Sequence, residues 1–201
     1  MSFRFIALIL CAVCVLVFIV QSIIPGFTDN FVLVSKDAAS RPWILVTSIF
    51  LHGDLGHLLG NIFALGVFGS ILEKFIEARK FAIVFFASGI IANIISLPFY
   101  AAALGASGAI FGLLGMLAAM KPKMMVWTYG VPMPMFMAAG FWLLLDIAGV
   151  FYPSSIANVA HISGLIFGTI AGIFSRKPEG GTKNDKSISD EEIDEWEKGW
   201  M

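Results

Sequence analysis

Six apolar runs, each close to the length that crosses a bilayer, dominate this chain: roughly residues 5–24, 53–72, 80–97, 105–120, 134–150 and 158–175. A spanning helix needs about 20 consecutive apolar residues, and runs of this length are read as helices. Only 13% of the residues are charged, against about 25% in soluble domains. The expected fold is therefore all-α, a polytopic membrane protein with six transmembrane helices. Residues 1–175 form the bundle, with one long first loop at about 25–52, and residues 176–201 form a charged tail.

The first run follows Arg4 and could be mistaken for a signal peptide. No Ala-x-Ala cleavage site appears around Gln21–Pro25, so it is expected to stay as a helix. Cys11 and Cys14, the only cysteines, lie within it and read as small hydrophobes. The net charge of −1 gives no reason to expect a nucleic-acid partner. In the tail, Ser189 and Glu192 have capping-box spacing, followed by Ile193, Trp196 and Trp200 at helical spacing. The surrounding Asp and Glu residues favour a solvated acidic tail over one held to anionic lipid.

Orientation follows from Lys and Arg. With a cytoplasmic N-terminus, the inner segments hold Arg4, Lys74, Arg79, Lys80, Lys121, Lys123, Arg176 and Lys177, and the outer ones only Lys36 and Arg41. The positive-inside rule thus predicts both termini in the cytoplasm. A multi-pass protein of a prokaryotic plasma membrane is expected.

All three histidines lie in or at the edge of these runs. Ionisable side chains in a membrane are costly, and by default mark functional sites. His57 and Asn61 are four apart on the second run. Ser107 opens the fourth, framed by Gly105 and Gly108, and His161 opens the sixth. Counting from Glu73, Lys121 and Arg176 at the inner ends, His57, Ser107 and His161 stand 16, 14 and 15 residues higher. At 1.5 Å per residue these heights are roughly 24, 21 and 22 Å, within a hydrocarbon core of about 30 Å. Three separate helices thus place polar residues at one level.

Acyl transfer needs this set of side chains. A serine hydroxyl becomes a nucleophile when a neighbouring base takes its proton, and His161 is the candidate base. His57 and Asn61, on one helix face, are candidate oxyanion donors with the Ser107 backbone N–H at a helix N-terminus. Gly108, Gly112 and Gly115 line one side of the fourth run, and Gly164, Gly168 and Gly172 one side of the sixth; small residues so spaced allow close helix approach. Asp146, near the outer end of the fifth run, could orient His161 as a third member, but nothing in its spacing requires this, and its location favours hydration. His52 reads as a structural hydrogen-bonder. No HExxH motif occurs, and neither a metal nor another cofactor is expected. The rival class is a channel, transporter or membrane chaperone with a polar, water-lined cluster.

Three stretches, His52–Asn61, Gly105–Gly108 and Ala160–Gly164, resemble the rhomboid family of intramembrane serine proteases. The resemblance covers Arg41 to about Ser175. It implies a Ser107–His161 dyad without a catalytic acid, an oxyanion hole including His57 and Asn61, and a water-filled cavity open to the outside. Substrates would be transmembrane proteins, cut within or beside a helix, often after a small residue. Trp43 resembles the family's loop tryptophan, and Glu73 the glutamate that ends the second helix. In two places the chain departs from the pattern. Phe111 stands where the family often has tyrosine, which keeps a stacking partner for His161 without the hydroxyl. The family's Trp-Arg pair is half present, with Ile44 after Trp43 and Arg41 before it.

Overall fold

The computed structural model describes residues 5–152 and 156–176; Arg4 and the expected tail signals at Ser189–Trp200 lie outside them. Six apolar helices stand among these residues: α1 Ile6–Ile23, α2 Leu55–Leu72, α3 Ala78–Ser96, α4 Ser107–Met120, α5 Met135–Val150 and α6 Asn158–Ile173. They coincide with the six apolar runs. The first three have 18 residues or more, enough to cross a membrane. Helix α4 has 14 and α5 and α6 have 16 each, so α4 rises only about 21 Å.

Burial divides the helices. In α4 ten of the fourteen residues are buried, whereas in α1 only Ala7, Leu10 and Cys14 are. Helix α4 is the central post, packed chiefly on α6 and then on α3. Helix α1 leans on α2, where Ala7 meets Gly69. The Glu73 carboxylate, just past the C-terminal end of α2, accepts a 2.7 Å hydrogen bond from the Ala7 N–H. That bond satisfies one of the unpaired amides in the first turn of α1 and opposes negative charge to the positive end of its dipole. At the other end of α1, Gln21 accepts from the His52 N–H (3.0 Å) and donates to the His52 carbonyl (3.3 Å). Helix α2 itself begins at Asp54, whose side chain caps it by accepting from the His57 N–H. Its middle, Leu65–Gly69, is a π-helical turn.

The first loop is ordered by its own polar residues. Arg41 donates to the carbonyls of Asp29 (3.2 Å) and Asn30 (2.5 Å), pairs with Asp37 (3.7 Å) and lies 5.8 Å over the Trp43 ring. An Arg-x-Trp order therefore braces this loop. A short antiparallel pair, β1 Leu33–Val34 with β2 Ala102–Ala103, ties the loop to the segment before α4. Asn93 on α3 reaches up to the Leu45 carbonyl and Ser48 hydroxyl.

Between α4 and α5 the structure holds an element the apolar pattern conceals. Strands β3 Met125–Thr128 and β4 Val131–Pro134 form a hairpin. Tyr129 and Gly130 turn it with φ of 50° and 80°, the left-handed pair that a two-residue hairpin needs.

Candidate active site

Ser107 is the first residue of α4, where the backbone N–H groups have no intrahelical acceptor. The approach to it is made by Gly105, with φ of +120° and its N–H bonded to the Ser48 carbonyl at 2.9 Å. A Cβ on Gly105 would stand 2.7 Å from the His57 ring and 3.8 Å from Asn61 Nδ2. Backbone conformation and space both demand glycine here. The same contact brings the two α2 side chains against the segment leading into Ser107. Asn61 is buried and donates to the His57 carbonyl at 3.0 Å, its i−4 neighbour.

His161 comes from the first turn of α6. Its ring stacks on Phe111, one turn below Ser107 on α4, with centroids 4.3 Å apart and planes 8° from parallel. Its Nδ1 lies 2.9 Å from Asp146 Oδ1 on α5. Asp146, for which the sequence favours hydration, is instead only 6% exposed. Ser107 makes no side-chain hydrogen bond among the described residues. Catalytic hydrogen bonds commonly tighten only when substrate is bound.

Glycines bring α4 and α6 together. A Cβ at Gly164 or Gly168 would collide with the carbonyl oxygen of Gly108 or Gly112, and one at Gly115 with that of Leu165. The rail on α6 thus faces the α4 backbone. The rail on α4 is shared: Gly108 also makes room for Ala92, and Gly112 for Ser88, both on α3. Sequence spacing read the α4 glycines as facing a single neighbour, and the structure gives them two.

His52 stands behind His57, edge-on at 5.1 Å between ring centroids, and is 1% exposed. Its Nδ1 lies 3.2 Å from the Phe50 carbonyl. Two residues near the site escaped the sequence reading. Gln21 clasps the His52 backbone. Tyr100, whose hydroxyl accepts from the Val159 N–H at 3.1 Å, holds the start of α6. With Gly149, Phe151, Tyr152 and Asn158, Tyr100 lines a cavity of about 340 Å³, one helical turn along α5 and α6 from Asp146 and His161. A polar residue at the very end of an apolar run was the only signal for Gln21; Tyr100 had none.

Residues 39–178 match the Rhomboid family, by its Rhomboid domain. The chain is 32% identical over 187 residues to the Rhomboid protease GluP of Bacillus subtilis (strain 168), covering 87% of this chain and 36% of that protein. It is 26% identical over 181 residues to the Rhomboid protease GlpG of Haemophilus influenzae, covering 86% and 91%. With the mitochondrial RHOMBOID-like protein 6 of Arabidopsis thaliana it shares 30% over 154 residues, covering 75% and 49%. The chain thus spans about a third to a half of the length of two of these relatives and nearly all of the third.

Proposed function

The chain belongs to the rhomboid family, and on that premise we propose that it is an intramembrane serine endopeptidase using Ser107 as nucleophile and His161 as base. The Ser107 oxygen attacks the scissile carbonyl carbon while its proton passes to His161 Nε2. The oxyanion that forms accepts hydrogen bonds from His57, Asn61 and the Ser107 N–H, which stabilise the charge as it develops. Collapse of this intermediate breaks the C–N bond, and Nε2 returns the proton to the leaving amine. A water molecule then attacks the acyl-serine through the same base and donors.

One observation carries this reading: the imidazole of His161 lies flat on Phe111 directly below the Ser107 turn, where α4 and α6 touch through glycine. The rival class, a channel or transporter, would call for polar side chains along the bundle. The central helix α4 has none below Ser107, which favours the protease.

The substrates in this reading are transmembrane proteins that present an unwound segment to the outer half of the bundle. Residues 1–175 are the catalytic unit, with the tail at 176–201 and both termini in the cytoplasm of a prokaryote. Lys and Arg distribution supports this orientation. The test is labelling with a fluorophosphonate in detergent, together with cleavage of a model transmembrane substrate. Wild type should be labelled and active, and Ser107→Ala neither. His161→Ala should lose cleavage while still folding. Labelling that survives Ser107→Ala, or substantial cleavage by either variant, overturns the assignment.

A further inference from the structure

The connection between α4 and α5 has no task in the chemistry above, and its composition is unlike that of a loop in water. The 22 residues from Met124 to Leu145 carry no charge, which is the length of a spanning run. Yet α5 takes up only the second half, from Met135 onward. The first half is the hairpin of β3 and β4. Val126 and Thr128 are buried against the protein, whereas Trp127, Tyr129 and Val131 are 60%, 79% and 54% exposed. Exposed apolar side chains gathered on one element mark a surface that something covers.

The hairpin is held against the bundle. At its base the carbonyls of Met124 and Pro122 accept from the Met135 and Phe136 N–H groups, at 2.8 and 3.1 Å, and so pair two open amides of the first turn of α5. Its tip turns back along that helix, where the Tyr129 ring meets Phe141 edge-on with centroids 5.9 Å apart. Phe141 lies six residues into α5, a rise of about 9 Å, and half the hydrocarbon core is about 15 Å. The exposed Lys123 stands just before the base. The tip is therefore on the bilayer side of that lysine.

We propose that the hairpin is a re-entrant anchor, seated in the leaflet away from Ser107 with Trp127, Tyr129 and Val131 against phospholipid acyl chains and Lys123 at the phosphates. This stands apart from the protease reading and holds for either sense of crossing. Charge suits it: among the described residues that end carries Lys74, Arg79, Lys80, Lys121, Lys123 and Arg176 against Glu73 and Glu77, as a phosphate layer favours. Trp and Tyr are the side chains that settle at the membrane interface.

The backbone is adapted to the same place. A strand edge in lipid leaves polar groups without partners. With Tyr129 and Gly130 as the turn, Thr128 and Val131 form the hydrogen-bonded pair, and the bonding alternates from there. Trp127↔Pro132 and Met125↔Pro134 are then the pairs whose N–H groups would point outward. On β4 both positions are proline, which has no N–H to leave unpaired.

Tryptophan fluorescence in phosphatidylcholine vesicles tests the proposal. Subtracting Trp127→Phe from wild type isolates Trp127, since the other four tryptophans are common to both. Bromine on the acyl chains should remove most of this signal, and iodide present on both sides of the membrane should remove little. A signal quenched by iodide and spared by bromine places the hairpin in water and overturns the proposal. A signal spared by both means that protein covers the patch, a second copy included, and overturns it equally. Depth gives a second reading. Tyr129→Trp in the Trp127→Phe background moves the reporter to the tip, where bromine near the chain methyl ends should quench it more than it quenches Trp127. The reverse order would mean that the tip points out of the bilayer, and the anchor would be lost.

Discussion

On one side of Ser107, α6 lies so close to α4 that the carbonyl oxygens of Gly108 and Gly112 occupy the places where side chains of Gly164 and Gly168 would begin. On the other side, α2 offers His57 and Asn61 from a helix whose Gly60 and Gly66 have nothing within 4 Å. The two walls of the site are built to different tolerances. A proton moving between two side chains needs them within about 2.6–3.2 Å, and only backbone-to-backbone contact holds helices that rigidly. The proposed oxyanion donors His57 and Asn61 reach in on side chains from α2, whose Gly60 and Gly66 meet open space, and the Ser107 N–H shares the work.

That contrast can be broken by substitution, and the largest effect belongs to the tight wall. Leucine at Gly164 must push α6 away from the Gly108 carbonyl. A misplacement of about 1 Å can cost about 10²-fold in rate, and a leucine needs more than that. Cleavage by Gly164→Leu should fall to background, and the thermal midpoint in detergent should drop with it. Next comes Asn61→Ala, which removes one donor and leaves the rest. A loss of about 10²- to 10³-fold in kcat is expected, with the midpoint changing far less than for Gly164→Leu; unchanged turnover would take Asn61 out of the site. Smallest is Gly66→Leu, which faces open space and should stay within a fewfold of wild type. Equal losses for Gly66→Leu and Gly164→Leu would erase the distinction between the walls.

How far such contrasts could be read beforehand depends on how local they are. The six helices follow from runs of apolar residues, and the His57–Asn61 pair follows from one helical turn. The expectation that His57, Ser107 and His161 share one level used only the rise per residue and the positions of Glu73, Lys121 and Arg176. What was hidden depends on how helices rotate about one another. Gly108 and Gly112 show their spacing in the sequence but not that α3 shares them. The contact of Asp146 with His161 is of the same kind, since nothing within α5 says which way Asp146 faces. The hairpin at 125–134 escaped for another reason. Met125, Val126, Trp127 and the residues after the turn are almost all apolar, so the two-residue alternation that marks a strand is absent. The π-turn of α2 has no pattern of its own.

The clasp at each end of α1 bears on where the protein begins as a cooperative unit. Similarity to the Rhomboid domain starts at residue 39, beyond the end of α1. Yet Glu73 bonds the Ala7 N–H and Gln21 holds both backbone groups of His52, the histidine packed behind His57. Removing α1 would leave a carboxylate and a buried backbone amide unpaired, in surroundings where each such loss costs about 1–3 kcal/mol or more. The helix with the fewest buried residues is thus tied by hydrogen bonds to the segment that carries the site, and that connected unit starts well before residue 39, where the match to the Rhomboid domain begins.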